Sequence, residues 1–164
     1  MSKKVAIVED DPAMSAMYRI KFEAEGFTVE TAANGKLVLE LVKTMMPDIV
    51  LLDLMMPEMN GIEVIQKVRE TNQTIPIIML TAVGDDMELQ IKALEVGAND
   101  FLNKPINAPA FKARIINMLK LRKSQLLIEN KALLLEDEVK KATLRLKESE
   151  HEALQMLGKA SEYK

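Results

Sequence analysis

Between Asp48 and Pro57, four apolar residues (Ile49-Val50-Leu51-Leu52) run directly into an aspartate, Asp53. So short and uniformly apolar a run, with two β-branched members, predicts a strand covered on both faces, as in a parallel sheet. Asp53 places a charge where the run ends, and burying a carboxylate is costly unless a partner offsets it. Pro57 and Gly61 turn the chain just beyond. A carboxylate at the carboxyl end of a parallel strand lies where open α/β sheets bind their ligands. On this stretch alone, a plain turn aspartate is an equally good reading. The rest of the chain decides between the two.

Lys4-Val5-Ala6-Ile7-Val8 is a second run of the same kind, and it meets Glu9-Asp10-Asp11. Pro12 suits the first position of a helix capped by Asp11. Met14, Met17, Tyr18 and Phe22 give that helix an apolar face, and Gly26 closes it. Residues 27–32 read as a strand. Asn34-Gly35 opens a helix on Leu37, Val38, Leu41, Val42 and Met45, which Pro47 stops. After the Asp53 strand come a helix over 61–71 on Ile62, Ile65 and Val68, and a strand over 75–80 ending at Thr81. A helix over roughly 85–96 ends at Gly97, and a short strand over 100–102 precedes Lys104-Pro105. Five strands alternating with helices predict an α/β fold: a doubly wound, right-handed, flavodoxin-like parallel sheet of order 2-1-3-4-5.

In that order the switch point lies between strands one and three, so Glu9, Asp10 and Asp53 converge, with Thr81 and Lys104 delivered by strands four and five. Three carboxylates so close repel strongly, and one lysine does not neutralise them. A hard divalent cation with oxygen ligands does, and Mg²⁺, which keeps several waters, fits best. A cation beside an ionised aspartate, with a lysine and a hydroxyl opposite, is equipment for phosphoryl transfer to the carboxylate. Taken singly, each residue has a plainer reading. Glu9 and Asp10 suit a solvated turn, Thr81 a helix cap, and Lys104 the surface. Their joint placement at four strand ends makes the case.

Four motifs act as a set: Ile7-Val8-Glu9-Asp10-Asp11-Pro12, Asp53-Leu54-Met55-Met56-Pro57 with Gly61, Leu80-Thr81-Ala82, and Phe101-Leu102-Asn103-Lys104-Pro105. With them, residues 3 to about 121 resemble the receiver domain of two-component response regulators. The resemblance implies that Asp53 is the phospho-acceptor, charged by a sensor histidine kinase or a phosphotransfer protein. It implies Mg²⁺ held by Asp10, Asp53 and the Met55 backbone carbonyl, with Glu9, which stands where many relatives have Asp, acting through water. Thr81 and Phe101 would form the switch pair and Lys104 would hold the phosphate, aimed by a cis Lys104–Pro105 bond. Ala82 is small enough to leave the acyl phosphate accessible. Met55 and Val83, both apolar, cannot orient a hydrolytic water, which predicts slow self-dephosphorylation and argues against a true phosphohydrolase.

Beyond Pro109 no Gly or Pro occurs until Gly158. The run reads as one helix, about 80 Å long at ~1.5 Å per residue. Heptad positions a fall on Met118, Gln125, Ala132, Val139, Leu146, Ala153 and Ala160. Positions d fall on Leu121, Ile128, Leu135, Ala142, Ser149 and Met156, and only Gln125 and Ser149 are polar. In a parallel pair Lys131 meets Glu136 and Arg145 meets Glu150, so a parallel homodimeric coiled coil through 118–160 is expected. His151 falls on the outward f position and has no second histidine to make a metal site. The expected organisation is a receiver over 1–121 and a coiled-coil signalling helix over 122–164, continuous with the last receiver helix.

Residues 109–164 carry 12 Lys/Arg against 8 Asp/Glu, leaving 10 and 17 for residues 1–108. An acidic domain on a mildly basic helix is a poor nucleic-acid binder. No signal peptide and no membrane-length apolar run is legible, and there is no cysteine, which together predict a cytoplasmic chain. The tail, notably Ala153-Leu154-Gln155-Met156-Leu157 and Ala160-Ser161-Glu162-Tyr163-Lys164, resembles the linker that precedes HD-GYP cyclic di-GMP phosphodiesterase domains. Helical pattern up to Lys164 suggests a fragment whose output lies elsewhere. The expected function is therefore a receiver relaying its switch through the coiled coil to such an output. This chain would be no enzyme beyond its own phosphorylation and dephosphorylation. The alternative is a stand-alone, phosphorylation-dependent protein-interaction module.

Overall fold

In a computed structural model, which describes residues 2–56, 58, 60–82, 84 and 86–163, β1 (Lys4–Val8) is an inner strand of the sheet. It pairs in parallel with β2 (Thr28–Ala32) on one side and β3 (Ile49–Asp53) on the other. β4 (Ile77–Thr81) and β5 (Asp100–Asn103) extend the sheet to the order β2-β1-β3-β4-β5. The sheet is therefore the doubly wound one expected. Readings that fell on Pro57, Val83, Asp85 and Lys164 lie outside the described residues.

Alternation along the strands divides the core in two. Ala6, Val8, Val50, Leu52, Ile77 and Met79 face α2 (Gly35–Met45), α3 (Gly61–Thr71) and α4 (Met87–Glu95). Val5, Ile7, Ile49, Leu51, Ile78 and Leu80 face α1 (Pro12–Ala24) and the first turns of α5 (Ala108–Glu162). A strand covered on both faces has no polar alternation to show, which is why β3 and β4 are apolar throughout until Asp53 and Thr81.

Caps fall where the side chains dictate. Asp11 accepts from the amides of Ala13 and Met14, and Asn34 from those of Lys36 and Leu37. The fourth strand begins at Ile77 rather than at Ile75, because Pro76 has no amide to give a ladder. The fourth helix starts at Met87, on the cap Asp86. Met46 ends α2 in the left-handed region, φ 48°, just before Pro47. It is 74 % exposed, so little packing repays that backbone. Met46→Gly should raise stability by ~0.5 kcal/mol, net of the entropy glycine adds to the unfolded chain. Urea denaturation reads the change, and a loss of stability would show that the Met46 side chain outweighs its strain.

Arg69 ties the far end of the sheet together. Its guanidinium donates to the carbonyls of Gly97, Asn72 and Ile75 and to Oδ1 of Asn99, at 2.7–3.0 Å. Gly97 has φ +122°, and a Cβ there would stand 2.9 Å from Arg69, so both backbone and space require glycine.

The chain divides into two compact units, Met1–Arg122 and Lys123–Lys164. Within the first, Phe111 and Ile115 are fully buried. Met118 and Leu119 pack partly against the same core. Met118, the first expected a position, is thus shared with the receiver core, and the free apolar seam starts at Leu121. Arg122 donates to the carbonyl of Asp48 at 3.1 Å. The second unit is helix, exposed throughout its described length, with i,i+4 pairs Lys140–Glu136 and Lys141–Asp137. Among the described residues no helix is long and apolar enough to cross a membrane.

Candidate functional site

Four strand ends and one tight approach build the site. β1 ends into Glu9 and Asp10, β3 ends on Asp53, β4 on Thr81, and β5 leads into Lys104. The Lys104 amide donates to the Thr81 carbonyl at 2.7 Å, extending the β4–β5 ladder to the residue that matters. The Lys104–Pro105 bond is cis. Gly61 lets α3 begin directly against β3: an added Cβ would lie 2.8 Å from Leu54 Cδ2 and 3.0 Å from Leu54 Cα.

Glu9 and Asp53 are buried, 3 % and 6 % exposed, while Asp10 lies open to solvent. One carboxylate oxygen from each comes within 4.8 Å of the others. Lys104 Nζ bridges the two buried acids, donating to Asp53 Oδ2 at 2.8 Å and Glu9 Oε2 at 3.0 Å. Asp53 Oδ1 accepts from the Met55 amide at 3.1 Å, and Glu9 Oε1 from the Asp11 amide at 3.3 Å. Burial pushes the Glu9 carboxyl above its ordinary range, with the Asp53 charge adding to it and Lys104 opposing it. Burial alone would lower the Lys104 ammonium, but its bonds to Asp53 and Glu9 more than reverse this and hold it firmly charged. Hard oxygen donors in this arrangement, one of them open to water, suit a small divalent cation that retains part of its hydration shell.

The structure does not bring every expected residue to that cluster. The Thr81 hydroxyl, fully buried, donates to Asn103 Oδ1 at 2.9 Å and is turned toward β5. Phe101 is 38 % exposed, with its backbone carbonyl held by Arg114 at 3.1 Å. Met55 lends its amide to Asp53 while its side chain stays outside, 66 % exposed. Asn103 is the partner that sequence reading left without a role. Its position, level with Thr81 across the β4–β5 ladder, was the available signal. An open groove of about 420 Å³, lined by Asp10, Leu54, Met55, Met56, Asn60 and Leu89 among others, leads to the acids.

Residues 5–116 match the family model of the response regulator receiver domain. The chain is 39 % identical over 129 residues to the phosphate regulon transcriptional regulatory protein PhoB of Rhizobium meliloti, covering 77 % of this chain and 56 % of that one. It is 40 % identical over 117 residues to the transcriptional regulatory protein CpxR of Escherichia coli, covering 71 % and 49 %. The chain thus spans about half the length of these curated relatives. Among solved structures, a CheY-like receiver domain protein from Methanospirillum hungatei superposes with a TM-score of 0.71 at 26 % identity, over 76 % of this chain and 99 % of that one. Receiver domains take phosphoryl groups from histidine kinases or phosphotransfer proteins and bind Mg²⁺ at an acidic pocket, and Glu9, Asp10 and Asp53 form such a pocket here. On its sequence, its sheet order and its acidic strand ends, this chain belongs to the response regulator receiver domain family.

Proposed function

We propose that the chain is a phospho-receiver that accepts a phosphoryl group on Asp53 from the phosphohistidine of a sensor kinase or phosphotransfer protein. The observation that carries this is the setting of Asp53: a buried carboxylate with an ammonium 2.8 Å away, at the open end of the sheet. An Asp53 oxygen attacks phosphorus as the phosphorus–nitrogen bond to the histidine breaks, and the imidazole leaves with that electron pair. Asp10, Asp53 and the Met55 carbonyl would hold Mg²⁺, with Glu9 acting through water. The ion supplies positive charge against the phosphoryl oxygens.

The new group brings negative charge and acceptor oxygens. Lys104 follows it from the carboxylates. Thr81 exchanges Asn103 for a phosphoryl oxygen, and Phe101 moves into the space it leaves. The face made by α4, β5 and the start of α5 thereby passes from one packing to another. Beyond its own phosphorylation and dephosphorylation, the chain is a relay rather than an enzyme. A parallel coiled coil through 118–160 carries the change to an output. The tail's resemblance favours an HD-GYP phosphodiesterase there, whereas the relatives named above are transcriptional regulators. Whether coding sequence follows residue 164, and which domain it specifies, separates these outputs from one another and from a stand-alone interaction module.

Acetyl phosphate with Mg²⁺ should add one phosphoryl group to the intact chain, detected by mass, and none to Asp53→Asn. An undiminished adduct in that variant would sink the assignment.

A further inference from the structure

Tyr18 is the one aromatic of α1 that carries a polar atom. It is fully buried, and its ring stacks on Phe22 at 6.2 Å. It shares its core cluster with Ile106 and Phe111, from the segment that leaves Lys104. Its hydroxyl has no hydrogen-bond partner among the described residues. A buried polar atom without a partner costs folding free energy, and phenylalanine would pack much as tyrosine does without that cost. The hydroxyl is not electrically remote from the site. Burial raises its pKa first, and the charges of Lys104, Glu9 and Asp53 also act on it. Lys104, for its part, has three N–H bonds to give. Asp53 and Glu9 each take one.

We propose that Tyr18 is a positioning residue for Lys104: its Oη accepts an ammonium N–H once Glu9 releases it, and so steadies the ammonium over Asp53 during phosphoryl transfer. This rests on Asp53 being the phospho-acceptor. In the present arrangement Glu9 and Asp53 hold Lys104 between them. When those oxygens turn to a cation and a phosphoryl group, the ammonium loses a partner. An apolar residue at 18 would leave it to wander, whereas a phenol oxygen supplies an acceptor that needs no charge of its own.

The chain has two tyrosines and no tryptophan, so Tyr163→Phe leaves Tyr18 as its only near-ultraviolet tyrosine reporter. In that background, Mg²⁺ with beryllofluoride, a phosphoryl mimic, should shift the Tyr18 absorbance, and adding Lys104→Met should remove the shift. In the parent chain, Tyr18→Phe should melt no lower than the parent. It should take up phosphoryl from acetyl phosphate about tenfold more slowly at saturating Mg²⁺, the size of one hydrogen bond to a charged group. A tyrosine with only a packing role would leave the rate alone, whatever the melt does. An unmoved Tyr18 absorbance, or a parental rate in Tyr18→Phe, overturns the proposal while leaving Asp53 phosphorylation standing. Absence of any adduct in the parent chain overturns the Asp53 reading, and the role of Tyr18 with it.

Discussion

Replacing Lys104 by methionine should slow phosphorylation by roughly 100-fold or more and at the same time tighten Mg²⁺ binding. The two effects share one cause. Lys104 Nζ lies 2.8 Å from Asp53 and 3.0 Å from Glu9, so it lends its charge to the place where phosphoryl oxygens must come. A preorganised donor of this kind contributes on the order of 10²–10³ in rate. The same ammonium repels a divalent cation from the three carboxylates, and its loss makes the pocket more attractive to one. Stability moves as well. The Glu9 and Asp53 side chains are 2 % and 9 % exposed, and stripping a partner from buried charges costs about 3–5 kcal/mol. Mg²⁺ should return much of that in the variant. A mass time course, a calorimetric Mg²⁺ titration and melts with and without Mg²⁺ read the three effects. A variant with weaker Mg²⁺ binding and an unchanged rate would show that Lys104 only props up the fold.

The middle of the sheet was legible because β1, β3 and β4 are covered on both faces and so appear as apolar runs, whereas the outer strands β2 and β5 are mixed and partly exposed. Ile49 to Leu52 could be little else, and Asp53 was conspicuous for ending it. The acidic cluster followed from topology, since order 2-1-3-4-5 allows only the ends of β1 and β3 to meet at the switch point. What stayed hidden depends on where side chains turn. Thr81 could have faced Asp53, and its bond to Asn103 rests on a rotamer that residue type does not set. Arg69 lies off the apolar positions Ile62, Ile65 and Val68 that mark its helix, yet it binds the carbonyls of Asn72, Ile75 and Gly97 and the side chain of Asn99. Tyr18 counted as one more apolar residue of α1, because periodicity records the ring and is blind to its hydroxyl.

The second large effect concerns assembly. Residues 1–164 should be dimeric at micromolar concentration, and Val139→Lys with Leu146→Lys should weaken the dimer by at least about 10³-fold. Leu121, Ile128, Leu135, Val139, Leu146 and Met156 share the a/d seam and are each at least 61 % exposed in the single chain. A seam of that length left in water is an aggregation hazard, and a second copy removes it at roughly 25 cal/mol per Å². Burying a Val or Leu side chain is worth ~1.5–3 kcal/mol, and the double substitution deletes two such groups from each partner. Gln125, Ser149 and the alanines at 132, 142 and 153 add little, so the expected dimer would hold its register loosely. Sedimentation or light scattering gives the mass, and truncation near Lys123 should yield a monomer. A monomeric parent chain at tens of micromolar would refute the coiled coil. Spin labels at Glu162 that lie far apart would refute only its parallel orientation.

The central claim is that Asp53, and no other acid of the cluster, carries the phosphoryl group. Borohydride reduces an aspartyl phosphate to homoserine, leaving a permanent mark at the residue that held it. Treating the chain with acetyl phosphate and Mg²⁺, trapping with borohydride and mapping the peptides by mass should place homoserine at position 53, with Glu9 and Asp10 intact. A mark at position 9 or 10, or an adduct formed equally well without Mg²⁺, would contradict the account.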